Sequence, residues 1–195
     1  MDPRVAEFQC IMPIENIPSV LSHGILSHER ASKLTHVTVA MEVIQDKRDK
    51  KQVPGGQKLH QYANLYFHAR NPMMSKRRDE APNLCVLRVS SQVLKIPGAV
   101  ITDQNAASNY VRFHAPNQIG LLNLEVIFAP NWKHPGDQIR EWRHGSAKCA
   151  EVLIPQRIPP ELIEGAFVVN SAAKQTLTDA GFPLSITIDA DLFFH

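Results

Sequence analysis

The chain lacks any cysteine pair that could staple it. Cys10, Cys85 and Cys149 are odd in number, far apart and without CxxC spacing. That argues against a disulfide framework and a thiolate zinc site, and fits a reducing cytoplasm. Long apolar runs are missing too: no window approaches the roughly 18 consecutive apolar residues of a membrane span. The N-terminal stretch has no charged region followed by an apolar one, so an unexported, soluble protein without a membrane partner is expected. GxGxxG after a strand, a Walker loop, GxSxG and HExxH are absent, which removes the commonest dinucleotide, phosphate, hydrolase and metalloprotease signatures. The nine histidines show no HxH or HxxxH spacing, so no metal is expected. Bulk charge is small as well. With 21 Lys and Arg against 19 Asp and Glu, the net charge is +2, and any surface for a polyanion must come from clustering.

Clusters are present. Lys47, Arg48, Lys50 and Lys51 form one, Lys76, Arg77 and Arg78 a second, and Arg140, Arg143, His144 and Lys148 a looser third. Each alone is what a solvated face looks like, but three together suggest a polyanionic ligand. At 195 residues and 44% hydrophobic, the chain suits one domain, residues 1–195, with a full core.

Phe8 to Met12 reads as a buried strand stopped by Pro13, and Glu15 to His23 as a helix capped by Gly24. Ser27 to Leu34 reads as a short helix or turn, and Thr38 to Lys51 as a helix whose basic end meets the turn Val53-Pro-Gly-Gly56. Tyr62 to Phe67, Leu84 to Val89, Ala99 to Thr102 and Leu124 to Phe128 read as strands. Pro130 to Ser146 reads as a long functional loop with one helical turn at most. Ala150 to Ile154 and Ile163 to Asn170 are further strands, Ser171 to Ala180 a helix, and Ile186 to Phe193 extended. Many short strands, 14 prolines and helices gathered toward the N-terminal half imply an α+β domain rather than a doubly wound sheet.

Residues 44–74 join a basic helix end, a Gly-Gly turn and an aromatic strand. Arg48 is either a cation compensating the helix dipole or a bidentate clamp on a phosphate. Tyr62, Tyr66 and Phe67 are either ordinary sheet packing or rings for a nicotinamide or a base. Glu151 stands out as a lone carboxylate in the apolar run Ala-Glu-Val-Leu-Ile, where it must face solvent or be buried with a partner. Its place at the end of the cationic loop favours the second reading, in which it holds a ribose hydroxyl or stabilises a developing oxocarbenium ion.

Four motifs resemble the DarT family, bacterial toxin ADP-ribosyltransferases that move ADP-ribose from NAD onto a DNA base. They are Ile14 to Gly24, Ile44-Gln-Asp-Lys-Arg48 leading to Val53-Pro-Gly-Gly56, Leu59 to Met73, and Thr102-Asp-Gln-Asn-Ala-Ala107. Ala150-Glu151, preceded by the loop, is a fifth, and the similarity runs from about residue 8 to about residue 170. The resemblance implies an ADP-ribosyltransferase fold: two small packed β-sheets with the NAD cleft between them, and helices toward the N-terminus. It makes Glu151 the catalytic glutamate and Arg48 the active-site arginine. Cys10, Ile11 and Met12 would touch the nicotinamide end and Ser19 and Ser27 other parts of NAD. Residues 35–53 would form an NAD-binding element, with Tyr62, Tyr66 and Phe67 as rings of the same site. Single-stranded DNA would lie along Lys76, Arg77, Arg78, Arg140, Arg143 and Lys148, with His114, Trp132 and Trp142 as stacking surfaces. The stretch from about His114 to Lys148 would be the substrate-recognising loop. A cytoplasmic toxin of this kind implies an antitoxin partner, an ADP-ribosylglycohydrolase of the macrodomain or NADAR type.

The chain departs from the family pattern in places. Cys10-Ile-Met-Pro13 stands where many members carry His-Ile-Thr-His, and Lys148-Cys149-Ala150-Glu151 where thymidine-modifying relatives read Arg-Gln-Ala-Glu. Tyr-Ala-Asn-Leu-Tyr-Phe replaces the commoner Tyr-Val-Pro-Phe-Tyr-Phe. The residue two before the glutamate helps choose the acceptor in ADP-ribosyltransferases, and Cys149 is neither the Glu associated with arginine acceptors nor the usual Gln; taken together, these departures resemble the guanine-modifying branch more than the thymine-modifying one. Two other readings fit the same residues: a nucleic-acid-binding module that kept the fold and lost catalysis, and a transferase acting on RNA or protein. NAD binding separates the first, and a panel of acceptors the second.

Overall fold

The structure, a computed structural model, describes residues 2–38 and 42–195. Strand β1 (Glu7–Pro13) leads through a 3-10 turn into α1 (Ile17–His23), with Pro18 in the first turn, where a missing N–H costs no helical bond. Gly24 ends α1 at φ 81°, donating its N–H to the Val20 carbonyl. Only glycine fits there, because a Cβ would lie 2.1 Å from the Ile158 carbonyl oxygen.

Next come β2 (Ile25–Leu26), α2 (His28–Ala31) and α3 (Glu42–Asp49). The helix expected over Thr38 to Lys51 includes residues 39–41, which lie outside the described residues; the part that is described is α3. The Gly-Gly turn is followed by β3 (Tyr62–Tyr66), α4 (Pro72–Lys76), β4 (Leu84–Ser90), β5 (Val100–Thr102) and β6 (Phe113–His114). Asn71 caps α4, accepting from the Met73 and Met74 N–H groups at 2.9 and 3.2 Å. The remaining elements are α5 (Leu124–Ile127), α6 (Gln138–Lys148), β7 (Glu151–Pro155), β8 (Arg157–Ile158), β9 (Ile163–Val168), α7 (Ser171–Asp179) and β10 (Ser185–Ile188).

The structure differs from the sequence reading in several places: helices are not gathered toward the N-terminus, since the longest among the described residues are α6 and α7. Leu124 to Phe128 is not a strand but the one-turn helix α5, capped by Asn123 through the Val126 N–H at 3.2 Å. The loop expected to Ser146 gives way to α6, whose first turn is capped by the Asp137 carboxylate at 2.9 Å from the Arg140 N–H. Its buried positions are Gly145 and Lys148, so no apolar periodicity marks it in the sequence. Ile186 to Phe193 is extended only to Ile188; a 3-10 turn at Asp191–Phe193 then buries Leu192 and Phe193.

Eight strands form one hydrogen-bonded sheet in the order β10-β9-β4-β1-β3-β7-β5-β6, and β2 pairs with β8 as a separate ribbon. The expected pair of small sheets takes the form of two four-stranded halves, β10-β9-β4-β1 and β3-β7-β5-β6, joined at a thin seam. Across β1 and β4 the register runs unbroken from Glu7 with Ser90 to Pro13 with Leu84. Across β1 and β3 only Gln9 and Tyr66 pair. Beyond Gln9 the halves part, and among the described residues the edge of β1 from Cys10 to Pro13 has no registered partner on its β3 side. Fully buried Phe8, Leu65, Phe67, Leu87 and Val152 pack the core around this seam, with Phe8 and Phe67 edge to face at 5.2 Å between centroids.

Candidate active site

A cleft of about 310 Å³ opens where the halves part. Cys10 to Pro13 form one wall and Asn64 and Tyr66 of β3 stand across from them. Ser19 and Val20 of α1, Gln45 and Arg48 of α3, and Lys76 of α4 contribute further, with Cys149 and Glu151 completing it. The unpaired edge of β1 presents main-chain amides and carbonyls that a planar amide can meet, which makes no demand on side chains. This explains how Cys10-Ile-Met-Pro13 can line such a wall without histidine. Burial pushes the Cys10 thiol up to about 12, and that of Cys149, with Glu151 adding to it, also to about 12, so both remain neutral.

Arg48 and Glu151 meet across 103 residues of sequence. Arg48 Nη1 donates to Glu151 Oε2 at 2.9 Å and to Oε1 at 3.2 Å, and the two residues are 6% and 1% exposed. The strand pairing of β3 with β7 sets Glu151 opposite Tyr66. Thr102 Oγ1 accepts the Glu151 N–H at 2.9 Å, and the Ala106 N–H donates to Oε1 at 2.9 Å. A buried carboxylate is thus compensated by a guanidinium and a main-chain donor, as burial of a charge requires. Tyr66 is also buried; desolvation first and the Glu151 charge second raise its phenol well above the ordinary value, so it stays a neutral hydroxyl. His28, another cleft residue, lies against His60 at 4.3 Å between centroids. Burial, then His36 and Arg48, lower its pKa and favour the neutral ring.

Of the residues expected to hold NAD, the structure brings Cys10, Ile11, Met12, Ser19, Arg48 and Tyr66 together in the cleft, and leaves Ser27, Tyr62 and Phe67 outside its lining. Ser27 is fully buried ahead of α2, with its main chain tied to Gln156 and Ala31. The Tyr62 hydroxyl accepts the Gln57 N–H at 3.1 Å beneath the Gly-Gly turn; a Cβ on Gly56 would lie 2.6 Å from that oxygen, so this ring pins the turn. Phe67, the residue after β3, is buried in the core against Phe8.

Of the residues expected to hold DNA, Arg140, Trp142 and Arg143 project from α6, with Trp142 66% exposed beside Ile139 at 65%. Lys76 borders the cleft. Arg77 pairs with Glu80 at 2.8 Å, and Arg78 lies 3.7 Å from Asp79. His114 is half-buried on β6, paired with Ile101. Trp132 packs edge-on against Phe194 at 6.0 Å between centroids and against Gly145, so only part of its ring is accessible. Lys148 contradicts the expectation outright. It is 0% exposed and its Nζ donates to the Ala129 carbonyl at 2.6 Å, with burial lowering its pKa to about 8. It anchors the loop to α6.

Sequence reasoning did not single out Asn64 and Asn105 in the cleft lining, nor the grip of the Thr102 turn on Glu151; Gln45 falls within the expected 35–53 element. The motif Thr102 to Ala107 was visible, but its grip on the carboxylate itself is the Ala106 main-chain N–H, which any residue but proline could supply; only the grip on the Glu151 main chain uses a side chain, Thr102 Oγ1. Among the described residues, no group of three His, Cys, Asp or Glu converges to hold a metal, and no helix is long and apolar enough to cross a membrane.

A sheet split at one seam, with a strand glutamate and a helix arginine paired in the cleft, defines a protein of the ADP-ribosyltransferase fold class. The family model described as "ssDNA thymidine ADP-ribosyltransferase, DarT" matches residues 10–194, and the chain belongs to that family. It is 29% identical to the "DNA ADP-ribosyl transferase-DNA ADP-ribosyl glycohydrolase fusion protein" of Thermosipho africanus, over 100% of this chain and 51% of that protein. It is 30% identical to a "DNA ADP-ribosyl transferase" of Thermus aquaticus, over 82% of this chain and 73% of the relative. The chain therefore spans about half the length of the fusion protein. It superposes on Thermosipho africanus DarTG in complex with ADP-ribose with a TM-score of 0.83 at 26% identity, covering 96% of this chain and 51% of that one. The structure of Thermus sp. 2.9 DarT in complex with ADP-ribosylated ssDNA has the same fold, with a TM-score of 0.83 at 24% identity over 98% of this chain and 97% of the other.

Proposed function

We propose that residues 1–195 act as one ADP-ribosyltransferase domain that takes ADP-ribose from NAD and transfers it to a nucleobase of single-stranded DNA, guanine in preference to thymine. The observation that carries this reading is the buried Arg48–Glu151 pair in a cleft walled by the unpaired edge of β1. In this reading Glu151 hydrogen-bonds the ribose and stabilises the positive charge that builds there as the bond to nicotinamide stretches. Its existing donors keep it in place while that charge develops. Arg48 acts by positioning, because a guanidinium in a protein gives hydrogen bonds and does not surrender its proton. Ser19 and the β1 edge would hold the rest of the dinucleotide.

The guanine preference draws support from Cys149, two residues before Glu151. Its thiol is small, buried and neutral, so this position offers an acceptor base no long amide side chain. Guanine carries an exocyclic amino group, which can keep its proton until the new bond forms and so asks less of a base than the ring N–H of thymine. The exposed Trp142, with Arg140 and Arg143, supplies a stacking face and cations for the flanking strand. The domain is the toxin of a toxin–antitoxin pair in this reading. Its partner is an ADP-ribosylglycohydrolase, a pairing that the Thermosipho relative carries in one chain by its name.

The test is to incubate the protein with NAD and homopolymeric and mixed single-stranded oligonucleotides, digest them, and find by mass spectrometry which nucleoside carries ADP-ribose. Deoxyguanosine is expected. A thymidine adduct overturns the acceptor, and absence of both an adduct and NAD binding by calorimetry overturns the enzyme in favour of a binding module.

A further inference from the structure

Lys51 belongs to the basic cluster at the end of α3 but is not part of the cleft lining. Its ammonium donates to the Ser108 carbonyl and sits 6.0 Å from the centroid of the Phe113 ring. Burial lowers its pKa, and the nearby Glu151 charge opposes that shift. Ser108 ends the turn that begins at Thr102, and this turn grips Glu151 twice, through Thr102 Oγ1 on its main chain and the Ala106 N–H on its carboxylate. At its start the turn is tied to α6: the Asn105 N–H donates to the Ser146 carbonyl at 3.0 Å, and Ser146 Oγ to Gln104 Oε1 at 2.9 Å. From its far end, Lys51 ties it to the segment that carries Arg48. The Lys51 N–H donates to the Arg48 carbonyl at 3.1 Å, so both side chains spring from one main-chain turn.

We infer that Lys51 is a positioning residue for Glu151: by holding the Ser108 carbonyl it keeps the Thr102–Ser108 turn where the Ala106 N–H meets Oε1, and so couples that contact to the docking of α3. One short stretch of chain then grips the carboxylate directly through Arg48 and indirectly through Lys51. Any displacement of α3 releases both grips together. The kinetic consequence rests on the reading of Glu151 as the catalytic carboxylate; the structural coupling does not.

The test reads both. In labelled protein, the Ala106 amide proton is followed by NMR in the wild type, in Glu151→Ala, in Lys51→Met, and in Lys51→Arg, which retains a cationic donor. Lys51→Met should reproduce most of the upfield movement caused by Glu151→Ala, and Lys51→Arg should reverse it. In transfer assays Lys51→Met should lower kcat by about tenfold with the KM for NAD changed by less than about twofold, the signature of a group acting on the transition state rather than on binding. Should Lys51→Met lose its folded spectrum, Lys51→Ala, which also removes the donor to the Ser108 carbonyl, replaces it. An unmoved Ala106 signal in the folded variant overturns the inference whatever the kinetics. A moved signal with undiminished kcat upholds the coupling and counts against Glu151 as the catalytic group.

Discussion

Glu151 and Arg48 are each other's solvation. Removing one partner of a buried ion pair strands the other, at a cost of roughly 3–5 kcal/mol, so an alanine at 151 mixes chemistry with folding. Glu151→Gln keeps the shape and an acceptor oxygen while removing the charge. We expect it to lower transfer by about a hundredfold or more and to melt at a higher temperature than Glu151→Ala, measured by oligonucleotide labelling and a thermal scan. Lys148 calls for a different experiment. Its pKa in the folded protein, about 8, lies below the ordinary 10.5, so between those values the unfolded chain binds more protons than the folded one. Its penalty on stability is complete below about 8 and fades as pH climbs toward 10.5. Lys148→Met should therefore flatten the rise of denaturation midpoint over that window, and leave the affinity for single-stranded DNA unchanged.

Among the elements, α1 depends on how it ends. Gly24 combines a left-handed φ with contact against the Ile158 carbonyl, so Gly24→Ala should cost roughly 2–4 kcal/mol in chemical denaturation and disturb the cleft wall that it lines. Helix α6 has the opposite character: polar, capped by Asp137, and displaying Ile139, Trp142, Arg140 and Arg143 outward. If that face carries DNA, Arg140→Ala and Arg143→Ala should each reduce the slope of log K against log salt by about 0.7. Trp142→Ala should instead weaken binding by roughly 1–3 kcal/mol with that slope unchanged. The strands β1, β3, β4, β5, β7 and β9 were legible because their apolar and aromatic runs are local and Pro or Gly punctuates them. Helices α5 and α6 were not, since α5 is a single turn, and α6 buries a glycine and a lysine where a periodic pattern needs apolar side chains.

For the whole molecule, the cleft exists because the sheet is joined at Gln9 and Tyr66 and comes apart beyond them. A ligand that fills this gap bridges both halves and should raise the melting temperature of the intact chain. NAD at about a hundred times its Kd should add about 2.7 kcal/mol, whereas a module that had lost the dinucleotide site would show no shift. The amino-acid sequence by itself determined where most of the strands lie and stop, and it marked Arg48 and Glu151 as candidates while leaving each a plain surface reading. Only the tertiary structure decided that these two meet, that Tyr66 faces the cleft while Tyr62 and Phe67 do not, and that Lys148 is buried while Trp142 is exposed. Strand propensity and punctuation are written in neighbouring side chains. A meeting across 103 residues, a main-chain N–H aimed at a carboxylate, and the burial of one lysine among many follow from how the halves pack, and leave no local signature.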